Sequence, residues 1–200
     1  HLQTLQMRDL DEAKRREFYK VMLDDSDRLL HTIDQVLLAS ATGSLLRRSA
    51  RSRLDLALVA RECVELARTR FHLGDDALQY VEESSPAVVL GDAVELKAAV
   101  WNLIDNAVKY SQGRPKIRVE LAAAENQRYA VRVTDNGVGI SPAELKRIFK
   151  RFYRIPASVA VRTKGSGLGL FIVRSVARKH GGRAFAESAG QGHGSTFTLL

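Results

Sequence analysis

The sequence is poor in cysteine. Cys63 is the only one among 200 residues, which excludes an internal disulfide and fits a reducing compartment. It lies in an apolar helical pattern with Leu58, Val59, Val64 and Leu66, so a buried structural thiol is expected. No apolar run approaches the length of a membrane span and no signal peptide opens the chain, so this piece reads as soluble. Internal repeats are absent, and so is low complexity outside one linker. Acids are absent from one stretch. Lys146, Arg147, Lys150, Arg151, Arg154, Arg162 and Lys164 follow one another with no Asp or Glu between, nearly the whole net charge of +8. Nucleic acid could use such a patch, but no aromatic interleaving or DNA-reading motif accompanies it, and a polyphosphate ligand is the sharper alternative. What the chain does have, 45% hydrophobic residues over 200 positions, suffices for one substantial core and a smaller element.

Residues 1–8 look like the tail of a helix. From Glu12 to Ala41 there is no Gly or Pro, and Tyr19, Leu23, Ser26, Leu30, Ile33, Leu37 and Ser40 keep four–three spacing. Such a stripe predicts one long helix that needs a partner helix, from a bundle or a second chain. His31 within it is expected at a surface or interface. Thr42-Gly43-Ser44 and the basic run Arg47–Arg53 form a linker, which sets the expected division at 1–45 and 46–200. Beyond it the pattern predicts a strand over Leu54–Leu56, a helix over Leu58–Phe71, and strands at Gln79–Glu82 and Val88–Leu90. Alternating runs predict antiparallel strands at Lys116–Leu121 and Tyr129–Thr134, each with one buried face. Ser141-Pro142-Ala143-Glu144 has capping-box spacing and predicts a short helix to Ile148. Residues 155–164 lack periodicity and are expected to form a mobile loop. A last helix to His180, stopped by Gly181-Gly182, and strands Arg183–Glu187 and Ser195–Leu200 complete the pattern.

The chemistry gathers in the helix that opens at Asp92, where Asp92 and Glu95 have the spacing of another capping box. Leu96, Val100, Leu103 and Ala107 mark its buried face. Asn102, Asn106, Lys109 and Tyr110 share a different face. Asparagines inside a helix compete for its backbone, and a sequence that breaks its own propensity on one face often does so for a site. A solvated polar face is the plain alternative. Gly165, Gly167 and Gly169 at a helix start can bring amide N–H groups to an anion, aided by the helix dipole. They form neither a Walker loop nor the dinucleotide fingerprint. Asp135 offers a carboxylate at a strand end, and Gly137 and Gly139 permit close approach to the backbone, although Asp-Asn-Gly is more often only a turn.

Taken in order, these pieces resemble the catalytic part of sensor histidine kinases, within the wider family of gyrase B, the ninety-kilodalton heat-shock chaperone and the mismatch-repair ATPases. The matching motifs are the N box (Asn102–Ser111), the first Gly box (Asp135–Gly139) and the F box (Phe149–Arg154). The second Gly box (Gly165–Leu170) and Gly-x-Gly-Ser-Thr-Phe (192–197) follow. The resemblance implies an α/β (α+β) fold, a two-layer sandwich of a mixed β-sheet covered by helices on one face, with an ATP lid. It makes residues 1–45 part of a helical dimerisation hairpin and residues 46–200 the ATP-binding domain. It assigns ATP or ADP with Mg²⁺, the metal on Asn106 and Asn102 near the phosphates. Lys109 would reach a phosphate, Tyr110 would pack on adenine, and Asp135 would accept from its amino group above Gly137 and Gly139. Gly165, Gly167, Leu168 and Gly169 would hold the phosphates, with Arg154 and Lys164 as lid contacts and Thr196 of the closing motif as a further nucleotide contact.

The activity so implied is phosphoryl transfer from ATP to a histidine of the dimerisation domain, then to an aspartate of a response-regulator receiver domain. The intact protein would be a homodimer, the cytoplasmic part of a membrane-anchored bacterial sensor, with no nucleic-acid partner. A hydrolysing clamp of the gyrase or chaperone kind is the second possibility. Its relatives resemble one another in carrying a glutamate base where this chain has Asn102, and an amide cannot take a proton from water. A non-catalytic nucleotide-binding scaffold is the third, though no box is degraded. None of the five histidines lies in the family's acceptor box, His-Glu/Asp-x-x-x-x-Pro, so the acceptor is expected upstream of residue 1.

Overall fold

The structure is a computed structural model that describes residues 51–83, 85–111, 113–155 and 165–200, together with Arg16, Tyr19 and Met22. The chain divides into two compact units, His1–Leu37 and Leu38–Leu200. In the first, the three described residues are helical, with Arg16 and Tyr19 exposed. The rest of the long helix, His31, linker residues 42–50 and loop residues 156–164 lie outside the described residues, whereas the end of the expected linker is described and Ser52 and Arg53 are already in a strand.

In the second unit, β1 (Ser52–Asp55) leads directly into α1 (Leu56–Phe71). The helix begins two residues before the expected Leu58 because the Asp55 carboxylate caps it, accepting from Ala57 N at 2.9 Å. The same oxygen accepts from Ala87 N at 3.0 Å, which fastens β1 beside β3 (Val88–Gly91) in a two-stranded antiparallel ribbon. β2 (Leu78–Glu82), β4 (Ile117–Ala124), β5 (Arg128–Asp135), β6 (Ala184–Glu187) and β7 (Ser195–Leu199) form one sheet in the order β2-β4-β5-β7-β6. Its β2–β4 pair is parallel and the other pairs are antiparallel, so the sheet is mixed.

Alternation decides which face is covered. Val119 lies opposite Val133 and Leu121 opposite Val131, and Phe197 and Leu199 extend the same two rows. All six side chains are buried. The reverse face is polar there, where Glu120 sits opposite Arg132 and pairs with it at 3.0 Å. Three helices cover the apolar face in strand order: α1 over β2 and β4, α2 (Ala93–Tyr110) over β4, β5 and β7, and α3 (Gly169–Lys179) over β6 and β7. Leu103 and Ile104 of α2 and Ile172 and Val173 of α3 are fully buried at the centre of this layer. Each contributes about 1.5–3 kcal/mol by leaving water. Cys63 is buried on α1 as expected, its thiol pushed up to about 12 by burial.

Residues 142–149 are a succession of turns rather than the expected helix. The Glu144 side chain that a capping box would turn back is engaged forward instead, with Arg147 at 3.0 Å and with the Tyr153 hydroxyl.

Candidate functional site

The α2 helix starts where the sequence places it. Asp92 caps it, accepting from Val94 N at 3.0 Å and Glu95 N at 3.2 Å. Glu95 pairs with Lys179 at the end of α3, while His180 Nε2 accepts from Asp92 N at 3.0 Å. The N-terminus of α2 is thereby tied to the C-terminus of α3. The two helices also meet at the other end, where the polar face lies.

There Asn102 is buried, 3% exposed, and its Nδ2 donates to Ala98 O at 2.8 Å. Gly169 makes room for it: a Cβ at position 169 would sit 2.7 Å from Asn102 Oδ1. The buried amide therefore lies against the first turn of α3. The first intrahelical bond of α3 is Ile172 N to Leu168 O at 2.9 Å, so the amides of Gly169, Leu170 and Phe171 precede the ladder. Such a terminus attracts anions. Leu168 N donates to Ser166 Oγ at 3.3 Å and its side chain is buried, an anchor for the loop. Gly165 stands in open space, whereas Gly167 packs on the backbone of Phe152 and Tyr153 in the F box. Asn106 is half-buried one turn beyond Asn102, and Tyr110 is 36% exposed at the helix end. Arg154 is exposed.

Asp135 ends β5 on the helix-covered face, 7% exposed. Its Oδ1 accepts from Gly137 N at 2.7 Å. Burial raises its pKa above the ordinary carboxylate value, and the backbone N–H groups of Gly137 and Ser195 partly offset this. A buried carboxylate with acceptor capacity to spare suits a ligand N–H donor. Gly137 and Gly139 serve the protein's own backbone. A Cβ would lie 2.3 Å from Tyr110 O at position 137 and 1.9 Å from Gly190 O at position 139. The loop after β5 is zipped to the β6–β7 loop by Gly192 N to Val138 O at 2.8 Å and Gly194 N to Gly137 O at 3.1 Å.

Thr196 departs from expectation. Its register partner is Thr134, their hydroxyls are 3.0 Å apart, and both stand on the sheet face opposite to Asp135. Ser195, one residue earlier, is buried and pairs with Asp135. A cavity of about 290 Å³ beside Asp135 is walled by Thr134, Thr196, Glu187, Ser188 and His193 among others, with no residue of α2.

Three further residues complete the surroundings. Asn136 clamps the chain before β4, accepting from Lys116 N at 3.0 Å and donating to Arg114 O at 3.1 Å. Ser188 Oγ accepts from Ile140 N at 3.0 Å and donates to Gly194 O at 2.6 Å. Asp105, buried on the flank of the α2 polar face, holds the Lys109 ammonium. The Asp–Lys spacing of four was visible in the sequence as a helix pair.

Residues 91–200 match the family model described as histidine kinase-, DNA gyrase B-, and HSP90-like ATPase. The chain belongs to this ATPase family. Among curated relatives, the probable sensor protein PcoS of Escherichia coli is 35% identical over 182 residues, covering 90% of this chain and 38% of that protein. A solved mycobacterial sensor histidine kinase, MprB, superposes with a TM-score of 0.63 at 31% identity, covering 74% of this chain and 95% of that one. Full-length ShkA, solved with AMPPNP, gives a TM-score of 0.72 at 25% identity, covering 96% of this chain and 39% of that one. The chain spans less than half the length of the curated relatives it matches. The ATPase domain is thus of the sensor-histidine-kinase kind, and the mixed sheet with its helical layer is that family's fold.

Proposed function

We propose that the domain binds Mg-ATP across the polar face of α2, the first turn of α3 and Asp135, and passes the γ-phosphoryl group to a histidine. The observation that carries this is the seating of the buried Asn102 amide against Gly169 at the start of α3. It places a side-chain amide at a helix N-terminus, which itself attracts anions. Asn106, one turn on, would hold Mg²⁺ through its amide oxygen, a hard neutral ligand for an ion that also keeps waters and phosphate oxygens. When bound, the ion would neutralise phosphate charge. Lys109 would add a point charge, Asp135 would accept from the adenine amino group, and Tyr110 would flank the base. Arg154 and Lys164 would close over the phosphates. Crystallisation of ShkA with an ATP analogue supports the ligand class.

Transfer to histidine is favoured over hydrolysis by one feature: position 102 is an amide, which cannot take a proton from water. An imidazole nucleophile needs positioning and charge neutralisation rather than a base. In this proposal residues 1–45 belong to a helical dimerisation hairpin, the protein acts as a homodimer, and the phosphoryl group is relayed to a receiver-domain aspartate. No described helix is long and apolar enough to cross a membrane, so an anchor would lie elsewhere. The test is incubation with γ-labelled Mg-ATP, comparing this chain with one extended through an acceptor box. Acid-labile, base-stable label on a histidine of the extended chain is expected. Inorganic phosphate as the sole labelled product would defeat the proposal.

A further inference from the structure

Asp105 has no part in the nucleotide contacts expected from the sequence, yet on α2 it flanks Asn102, Asn106 and Lys109. It is 7% exposed, it directly precedes Asn106, and its Oδ2 accepts from Lys109 Nζ. Lys109 is its one ion-pair partner among the described residues. The acid precedes the base by four residues, the favourable orientation on a helix. Lys109, the residue expected to reach a phosphate, is therefore already engaged. Its side chain is 35% exposed and that of Asp105 only 11%.

The two ends of this pair differ in what they lose by parting. An ammonium on a four-carbon stem can swing to a phosphate and remain paired. A buried carboxylate cannot follow, and leaving it without a cation is far more costly than breaking an exposed pair. It would also repel the incoming phosphates. A replacement cation near Asp105 removes both penalties. The divalent ion assigned to the adjacent Asn106 arrives with the nucleotide.

We propose that Asp105 is a positioning residue that holds Lys109 in the ligand-free protein and releases it to the nucleotide when a divalent cation accompanies that nucleotide. The inference rests on the nucleotide reading given above and adds a source of discrimination to it. Free nucleotide must strand Asp105 to gain Lys109, whereas metal-loaded nucleotide need not.

Calorimetric titration with ADP, in excess Mg²⁺ and in excess chelator, tests this on the parent, Asp105→Asn and the Asp105→Asn/Lys109→Met double variant. Thermal melting checks that each is folded, and Asp105→Ser supplies the same comparison if Asp105→Asn is not. The parent should strongly prefer Mg-ADP. Asp105→Asn should bind metal-free ADP about tenfold more tightly than the parent does. The double variant should lose that gain, because the freed lysine makes the new contact. A magnesium preference unchanged by Asp105→Asn, or a gain that survives in the double variant, overturns the role of Asp105 alone. A parent that binds neither form overturns the nucleotide reading and this inference with it.

Discussion

Substitution of Gly139 by alanine tests the junction that holds Asp135 in place. Gly139 has φ of +68° and its Cβ would meet Gly190 O at 1.9 Å. Gly192, across the junction, has φ of +81° and open space around its Cβ position. Gly192→Ala therefore carries only the cost of a left-handed alanine, about 1–2 kcal/mol. Gly139→Ala carries the same cost and must also push the two loops apart. That forfeits the bonds from Gly192 N to Val138 O and from Gly194 N to Gly137 O, each contributing about 1 kcal/mol. The expected loss is about 3–4 kcal/mol, within the roughly 5–15 kcal/mol by which domains are stable. Urea unfolding of both variants reads the difference directly. Melting should fall by roughly 10 °C for Gly139→Ala and by less than half that for Gly192→Ala. Equal losses would refute the steric part of the reasoning and leave only backbone conformation.

Gly169→Ala should change stability by less than about 1 kcal/mol, because helix propensity gained offsets crowding of one side-chain end, yet it should weaken nucleotide binding by displacing Asn102. Full affinity in a titration of that variant would contradict the placement. Asp135 should titrate above the ordinary carboxylate range in a carbon-13 carboxyl shift experiment, since burial raises it. The folded state then binds that proton more tightly than the unfolded chain does, so this group adds stability as pH falls from its raised midpoint towards about 4. A midpoint at or below that value would be the contrary result. Cys63, raised to about 12 by burial, should resist a thiol reagent at neutral pH and react fully in denaturant. Rapid labelling of the native protein would place the thiol at the surface.

Much of the fold was legible because it is locally encoded. The Asp92 cap, the periodicity of α2 and the alternation in β4 and β5 each depend on residues close in sequence. Pairing over distance was not legible. Nothing near Ser52–Asp55 announces that it will pair with Val88–Gly91, and Asp55 serves both β1 and α1 in a way that moves the helix start. The same limit explains Thr196. A period of two makes side-chain direction depend on register, and the register of β7 is set by loops that close around Gly139, Gly190 and Gly194. The predicted helix at 141–148 failed because capping-box spacing does not say which way Glu144 will turn. Glycines 137 and 139 have a structural use that spacing cannot separate from a ligand-binding one. The Asp105–Lys109 pair could have been read from its spacing, but not the burial of its carboxylate.

The most direct test of the nucleotide site is a map of backbone amide shifts as Mg-AMPPNP is added to the protein. The largest changes should fall on Asn102, Asn106 and Lys109 of α2, on Asp135 and Gly137, and on Gly165 through Phe171 at the start of α3. Omitting magnesium should shrink the changes at Asn106 first. Shifts confined to the opposite sheet face around Thr134 and Thr196, or no saturable shifts at all, would contradict a nucleotide site built on α2 and α3.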